Sequence, residues 1–301
     1  MRRFWLHRLD TKVSPYLYIS PFFVLFGVFG VFPLVYTAWV SLHDWSLLDD
    51  EHPFTGLANY RELFADAYFW NALGNTISIM LLSTVPQLVM AVFLAHLINR
   101  RLRARTFWRL GMLLPNLTSV VAVVVIFSQL FGRDFGLINW VLETLGLGRI
   151  DWQAGVASSH VAIAVMIIWR WTGYNALIFL AAMQAVPKEL YESATLDGAS
   201  SRQQLMRITI PAIRPTIIFV VIISTIYGLQ IFAEPQLFGG NSITGGPDRQ
   251  FQTLALYLYE HAFSQGFQFG YASATAWVMF GLIVVAAVVN YLITRRIRSS
   301  R

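Results

Sequence analysis

Six long apolar segments dominate the sequence and set the strongest constraint on its fold. Each is long enough to cross a bilayer as a helix, since the hydrocarbon core needs about 20 helical residues. A lipid-exposed backbone must satisfy its own hydrogen bonds, which favours helices over open strands. The sequence therefore predicts an all-α, polytopic membrane protein with six transmembrane helices. The segments cover residues 16–40, 72–98, 108–131, 156–181, 213–237 and 270–294.

Composition supports a membrane protein and excludes several kinds of site. Only 13% of the residues are charged, against about 25% in an average soluble domain. The N-terminal arginines could belong to a signal peptide, but the run 16–40 is too long for one and no convincing cleavage site follows. The chain has no cysteine and its six histidines are scattered. We therefore expect no metal site and no cofactor.

Basic residues collect on alternate connections between the apolar segments. Of the 22 lysines and arginines, 17 lie in the two tails, in the second connection with the start of the third span, or in the fourth connection. By the positive-inside rule these regions face the cytoplasm. We therefore expect cytoplasmic tails at 1–15 and 295–301, a first span at 16–40 and a core of five further spans at 72–294. The net charge of +6 then requires no nucleic-acid partner. The 17 residues are Arg2, Arg3, Arg8, Lys12, Arg100, Arg101, Arg103, Arg105, Arg109, Lys188, Arg202, Arg207, Arg214, Arg295, Arg296, Arg298 and Arg301.

One polar segment, residues 186–212, stands out on the predicted cytoplasmic side. Pro187 suits the start of a helix, and Gly198 suits a positive φ at the end of one. Ser201 and Gln204 have the spacing of a capping box for a second helix. The segment is therefore predicted to form a short helix–turn–helix.

The same segment carries a resemblance to a known family. Glu192-x-Ala194-x-x-Asp197-Gly198-Ala199, followed by Ile208-x-Ile210-Pro211, resembles the EAA loop of bacterial ABC importer permeases. Ser193 departs from the alanine usual there, but both side chains are small. The resemblance implies the type I permease fold and a loop that couples the permease to its ATPase. The implied coupling residues are Tyr191, Glu192, Ala194, Asp197, Gly198, Ala199, Ile208 and Pro211.

The wider sequence resembles the maltose-type branch of sugar importer permeases. The resemblance implies a multi-pass subunit of a bacterial inner or plasma membrane, surrounded by the lipid bilayer, that imports a di- or oligosaccharide by alternating access. Implied partners are a second homologous permease, two copies of an ABC ATPase and an extracytoplasmic sugar-binding protein. Two alternatives stay open: a permease for glycerol phosphate or another small anion, and a stand-alone secondary transporter.

The chain lacks the common signatures of catalysis. Neither of its two lysines, Lys12 and Lys188, stands in a Gly-x-x-x-x-Gly-Lys-Ser/Thr loop, so ATP hydrolysis must come from another subunit. No Gly-x-Ser-x-Gly or His-Glu-x-x-His pattern is present. We therefore predict no catalytic residues and a membrane subunit that is not an enzyme.

Polar and aromatic residues within the spans are candidates for a substrate pathway. An arginine at membrane depth is costly and suggests function, and the stretch from Trp169 to Asn175 contains one among aromatic rings. Helix packing and interhelical hydrogen bonds are the alternative explanation. The resemblance to the maltose-type permeases implies sugar contacts at Asn116, Trp169, Thr172, Gly173 and Ser224, whereas Arg170, Asn175 and Gln230 are candidates from their chemistry alone. The candidates are Asn116, Trp169, Arg170, Thr172, Gly173, Asn175, Ser224 and Gln230.

If the fourth and fifth spans are straight helices, the two charged residues within them lie at different depths in the membrane. Arg170 lies near or below the middle of the fourth span, whereas Glu234 lies about 20 residues, roughly 30 Å, from the inner end of the fifth span. We therefore expect that Arg170 and Glu234 do not pair. In the first outer connection, Gly56-Leu57-x-Asn59-Tyr60 favours either a short helix at the outer membrane face or a solvated loop.

Overall fold

The structure is a computed structural model that describes residues 2–48, 50–99, 104–264 and 266–299. The described part is helical, with two isolated β-bridges and no strand. Four arginines used in the orientation argument, Arg100, Arg101, Arg103 and Arg301, lie outside the described residues. The helices are α1 Arg2–Phe26, α2 Phe32–Val40, α3 Ala58–Ala65, α4 Ala67–Asn99, α5 Arg105–Leu117, α6 Val120–Leu130, α7 Leu137–Thr144, α8 Val156–Gln184, α9 Lys188–Leu196, α10 Ser201–Gln204, α11 Ile210–Ala212, α12 Arg214–Leu229, α13 Ala233–Phe238, α14 Leu254–Phe263 and α15 Phe269–Ser299, with π-helical turns at Gly27–Val31 and Leu205–Thr209.

Within the residues that the structure describes, four stretches of helix are long and apolar enough to cross a membrane unbroken. Two further candidates are pairs of helices that are bent at a short break, by 88° and 71°. Counting each bent pair as one span gives up to six spans. The unbroken stretches are Val13–Val40, Ala67–Asn99, Val156–Gln184 and Phe269–Leu292, and the bent pairs are Thr106–Leu117 with Val120–Leu130 and Ser201–Ala212 with Arg214–Leu229.

The break between α5 and α6 follows a proline. Pro115 lacks the N–H that would continue the helical ladder, and Thr118 and Ser119 are extended. The amide and hydroxyl of Thr118 both donate to the Leu114 carbonyl, at 3.1 and 2.8 Å. The predicted third span is therefore two helices rather than one, because the last turn of α5 is tied off locally before the chain turns.

The predicted fifth span is also interrupted. α12 ends at Leu229, and α13 begins at Ala233 after a short non-helical link. A carbonyl freed at membrane depth needs a new partner, and the Ile231 carbonyl accepts a hydrogen bond of 2.7 Å from the Thr253 hydroxyl. The polar backbone of the link is thus partly satisfied by the loop before α14.

α8 organises the packing, because it contacts α4, α5, α6, α12 and α13. Small and apolar residues on its inward face, including Ala162, Met166, Ala176 and Phe179, are fully buried. They belong to two apolar clusters that fill the space around this helix. The middle of α8, which carries Arg170, is therefore held among neighbouring helices.

Contacts divide the chain into two compact units, residues 1–65 with 261–277 and residues 66–260 with 278–301. In the first unit the connection after α2 contains a short helix, α3, rather than only an irregular loop. The buried amide of Asn59 in α3 donates to the carbonyls of Ser41 and His43, both at 2.9 Å. These bonds hold α3 against the end of α2.

Candidate functional sites

A cavity of about 610 Å³ lies among α4, α5, α6, α8, α12 and α13. Its walls combine hydroxyl and amide groups, which bond to hydroxyls, with aromatic rings, which stack on apolar faces. The polar lining residues other than Arg170 and Glu234 are Ser83, Thr84, Gln87, Asn116, Asn175, Ser224 and Gln230, and the aromatic ones are Trp171, Tyr174, Phe219, Tyr227 and Phe232. Such a surface suits a small polar molecule with both hydroxyl groups and apolar faces.

The structure brings five of the eight predicted pathway residues to this cavity: Asn116, Arg170, Asn175, Ser224 and Gln230. Sequence reasoning did not name the α4 contribution, although Ser83 and Gln87 recur at helical spacing within an apolar segment. It also left out Trp171 and Tyr174, which lie in the same aromatic stretch as Arg170. The Trp171 and Tyr227 rings are 5.5 Å apart and join α8 to α12.

Trp169 and Thr172 do not line the cavity. The Trp169 ring lies 5.6 Å from the ring of Phe127 on α6 and is 43% exposed on this chain. Thr172 is buried, and its hydroxyl donates to the Ile168 carbonyl at 2.5 Å. The hydroxyl of Thr172 is therefore used within α8.

Gly173 lies where α8 and α5 approach each other closely. A β-carbon added there would lie 1.9 Å from the Met112 carbonyl oxygen, well inside contact distance. The glycine therefore lets the backbones of two helices touch, as small residues do at helix contacts in membranes. Its position explains how α5 carries Asn116 to the cavity without Gly173 lining it.

Arg170 and Glu234 form an ion pair, so the expectation that they do not pair is wrong. Arg170 Nη1 lies 2.7 Å from Glu234 Oε1, and the two side chains are 14% and 11% exposed. The depth estimate assumed a straight fifth span, but the link after Leu229 ends α12 early. α13 then contacts α6 and α8, which brings the carboxylate beside the middle of α8.

The segment predicted to couple with an ATPase forms two short helices around Gly198. Gly198 has φ +76°, which a glycine adopts without the steric penalty of a side chain. The amides of Gly198 and Ala199 donate to the carbonyls of Thr195 and Ala194, closing the end of α9. A side chain at Gly198 would meet open space. The glycine is thus required for backbone conformation and not for packing.

The second helix of this segment begins one residue earlier than predicted. The capping box consists of Ser200 and Gln203, in place of Ser201 and Gln204. The Ser200 hydroxyl accepts from the Gln203 amide, while Gln203 Oε1 accepts from the Ser200 amide. The predicted capping box was one residue too late, because Ser200 and Ser201 are adjacent and each has a glutamine three residues later. Gln204 instead bonds the Thr195 hydroxyl at 3.0 Å.

The acidic coupling candidates face outward while their neighbours hold the fold. Glu192 and Asp197 are exposed, and Leu196 between them is 90% exposed. Tyr191 is partly buried, and its hydroxyl lies 3.0 Å from that of Thr209 across the turn. The remaining coupling candidates, Ala194, Ala199, Ile208 and Pro211, are all partly buried. The turn therefore presents an acidic and apolar surface on a supported backbone.

A polar network holds the loop between α13 and α14. Arg249 makes two hydrogen bonds to the buried Glu260 carboxylate, at 2.6 and 2.8 Å, and lies over the Tyr68 ring. Burial opposes the charged form of Arg249. The hydrogen bonds and the negative charge of Glu260 outweigh this effect, so the pKa of Arg249 is raised. Asn75 in α4 donates to the backbone carbonyl of Arg249. The loop is thus fixed to α4 and α14.

Comparison with known proteins identifies similar chains. Residues 76–299 match the family described as binding-protein-dependent transport system inner membrane component. The chain is 34% identical to the arabinooligosaccharides transport system permease protein of Halalkalibacterium halodurans, over 95% of this chain and 89% of that one. It is 33% identical to the lactose transport system permease protein of Rhizobium radiobacter, over 93% and 92%. It is 34% identical to the sulfoquinovosyl glycerol transport system permease protein of Agrobacterium fabrum, over 97% and 93%.

A solved structure shares the fold. A chain of a bacterial ABC transporter involved in the import of the acidic polysaccharide alginate superposes with a TM-score of 0.79, at 24% identity, over 98% of this chain and 99% of that chain.

Proposed function

Because the chain belongs to the family of binding-protein-dependent transport system inner membrane components, we propose that it forms half of the translocation pathway of an ATP-driven importer for a di- or oligosaccharide. As a permease subunit of that family it is a multi-pass membrane protein without catalytic residues, and ATP hydrolysis belongs to a separate subunit. A carrier that works alone does not fit this membership.

The cavity among α4, α5, α8 and α12 is the observation that carries the proposal. Its amides and hydroxyls match the hydrogen-bonding groups of a sugar, and its rings match the apolar faces. Relatives over nearly the whole chain are named for arabinooligosaccharides and lactose. Asn116, Arg170, Asn175, Ser224 and Gln230 are the proposed contacts of this subunit.

The proposed complex contains a second homologous permease, two copies of an ABC ATPase and an extracytoplasmic sugar-binding protein. Both termini and the segment 186–212 face the cytoplasm, as the distribution of basic residues favours. There Glu192, Asp197 and the exposed Leu196 form a compact surface for the ATPase. ATP-driven closure of the ATPases would move this segment and switch the permease pair between inward- and outward-facing states.

The sugar site is tested by uptake in membranes that contain the assembled transporter. Asn116→Ala and Ser224→Ala each remove one hydrogen-bonding group from the cavity, which is worth about 0.5–1.5 kcal/mol. We expect a rise in KM of about twofold to tenfold at unchanged assembly. Thr225→Ala is the matched control, because the Thr225 hydroxyl bonds the Val221 carbonyl within α12. Unchanged uptake in both cavity variants would contradict the proposed site.

The partners are tested by gentle solubilisation of the tagged chain and mass spectrometry of the proteins that copurify. We expect a P-loop ATPase and a second multi-span permease. A Glu192→Ala/Gly198→Val double variant should lose the ATPase. A chain that is purified alone and transports sugar without ATP would refute the proposed assembly.

A further inference from the structure

We infer that the cavity of this subunit selects uncharged sugars because its two charges cancel, and that Glu234 sets this selectivity. The inference rests on the proposed function and narrows its substrate class. Among the residues that the structure describes, Arg170 and Glu234 are the only acid and base that line the cavity. The other polar groups are amides, hydroxyls, phenols and an indole.

The geometry of the pair makes the cancellation effective. Arg170 lies in the middle of α8, and its Nη1 is 2.7 Å from Glu234 Oε1. Both side chains are largely removed from solvent, at 14% and 11% exposure, so screening by water is weak. The neighbouring Nε of Arg170 is buried without a hydrogen-bond partner. The positive charge of Arg170 is therefore held by Glu234 within the protein.

An acidic sugar would find no free positive charge in this cavity. To reach Arg170 its carboxylate would have to displace Glu234, leaving a buried carboxylate without its partner, which is strongly unfavourable. A neutral sugar can bond to Asn116, Asn175 and Ser224 without disturbing the pair. The fold shared with an alginate importer chain thus does not determine the charge of the substrate here.

The experiment uses the assembled transporter in nanodiscs, without nucleotide and without the binding protein, so that only the membrane cavity discriminates. Equilibrium binding is measured by saturation-transfer NMR with lactose, maltose and arabinotriose as neutral probes and digalacturonate as the acidic probe. For the wild type we expect digalacturonate to bind at least about tenfold more weakly than the best neutral probe, or about 1.4 kcal/mol.

Glu234→Gln keeps the size of the side chain and removes its charge. We expect the ratio of digalacturonate to neutral-sugar affinity to rise by at least about tenfold, and this gain to fall with added salt. Arg170→Gln/Glu234→Gln removes both charges and should return the ratio to the wild-type preference. Glu234→Asp keeps the charge on a shorter side chain, so it should assemble and shift the ratio only part of the way.

Two results would overturn the inference: equal binding of both classes by the wild type, or an unchanged ratio in the assembled Glu234→Gln transporter. Failure of the proposed function gives a different result. If Asn116→Ala and Ser224→Ala leave neutral-sugar binding unchanged, the cavity is not the sugar site, and both proposals fall. If they weaken binding while the Glu234→Gln ratio stays constant, only the charge argument is wrong.

Discussion

Substitution of Gly173 by alanine tests the close contact between α8 and α5. The new β-carbon would lie 1.9 Å from the Met112 carbonyl oxygen and 2.7 Å from its carbon. Ordinary contact distances require α5 to move away by about 1.5 Å, and such overpacking typically costs about 1–3 kcal/mol. Alanine recovers up to about 1 kcal/mol through its higher helix propensity. Because the obstructing atom is backbone and lies well inside contact distance, the cost is at the upper part of this range, about 2–3 kcal/mol, and the net expectation is a loss of about 1–2 kcal/mol.

The displacement of α5 should also affect transport, because Asn116 lies one helical turn beyond Met112 and reaches the cavity. We expect Gly173→Ala to lower the melting temperature of the purified transporter in nanodiscs and to raise the KM for uptake. Because the obstructing atom is a backbone oxygen, trimming the side chain with Met112→Ala should not rescue the variant.

Gly74→Ala is the matched control, since Gly74 lies inside α4 with open space where its β-carbon would go. It should melt at or slightly above the wild-type temperature. A Gly173→Ala protein that melts as high as wild type and transports normally would refute the close approach of α5 and α8. Rescue by Met112→Ala would instead assign the clash to the side chain.

Three further predictions concern the segment 186–212 and the loop between α13 and α14. Gly198→Val should cost about 1–2 kcal/mol through the positive φ and lower sugar-stimulated ATPase activity. Gly148→Val, at φ +72° in the link between α7 and α8 with open space around it, should leave that activity unchanged, and an equal loss in both variants would contradict the coupling role of Gly198. Arg249→Gln removes the cation that is paired with the buried Glu260 carboxylate and should cost about 3–5 kcal/mol. The melting temperature should fall, and the double variant Arg249→Gln/Glu260→Gln should largely restore it. A wild-type melting temperature in the single variant would contradict the pairing. Ser200→Ala removes the helix cap and should cost about 1 kcal/mol, measured as faster proteolysis within 186–212; unchanged cleavage would argue against the cap.

The sequence determined the class of the protein, because membrane insertion depends on the local composition of long segments. Apolar run length predicted helical spans, and the turn at Gly198 followed from a backbone conformation that glycine adopts easily. The capping box was displaced by one residue only because two adjacent serines offer the same spacing. These features depend on neighbours in the chain, which a single sequence contains.

Only the tertiary structure decided which side chains share the cavity. Hydropathy does not distinguish a straight span from two helices joined by a short link, and the link after Leu229 places Glu234 beside Arg170. Gly173 and Arg170 are three residues apart on one helix, yet one contacts the backbone of α5 and the other lines the cavity. The physical reason is that the role of an intramembrane side chain depends on which helix packs against its face, and that contact is made by residues distant in the chain.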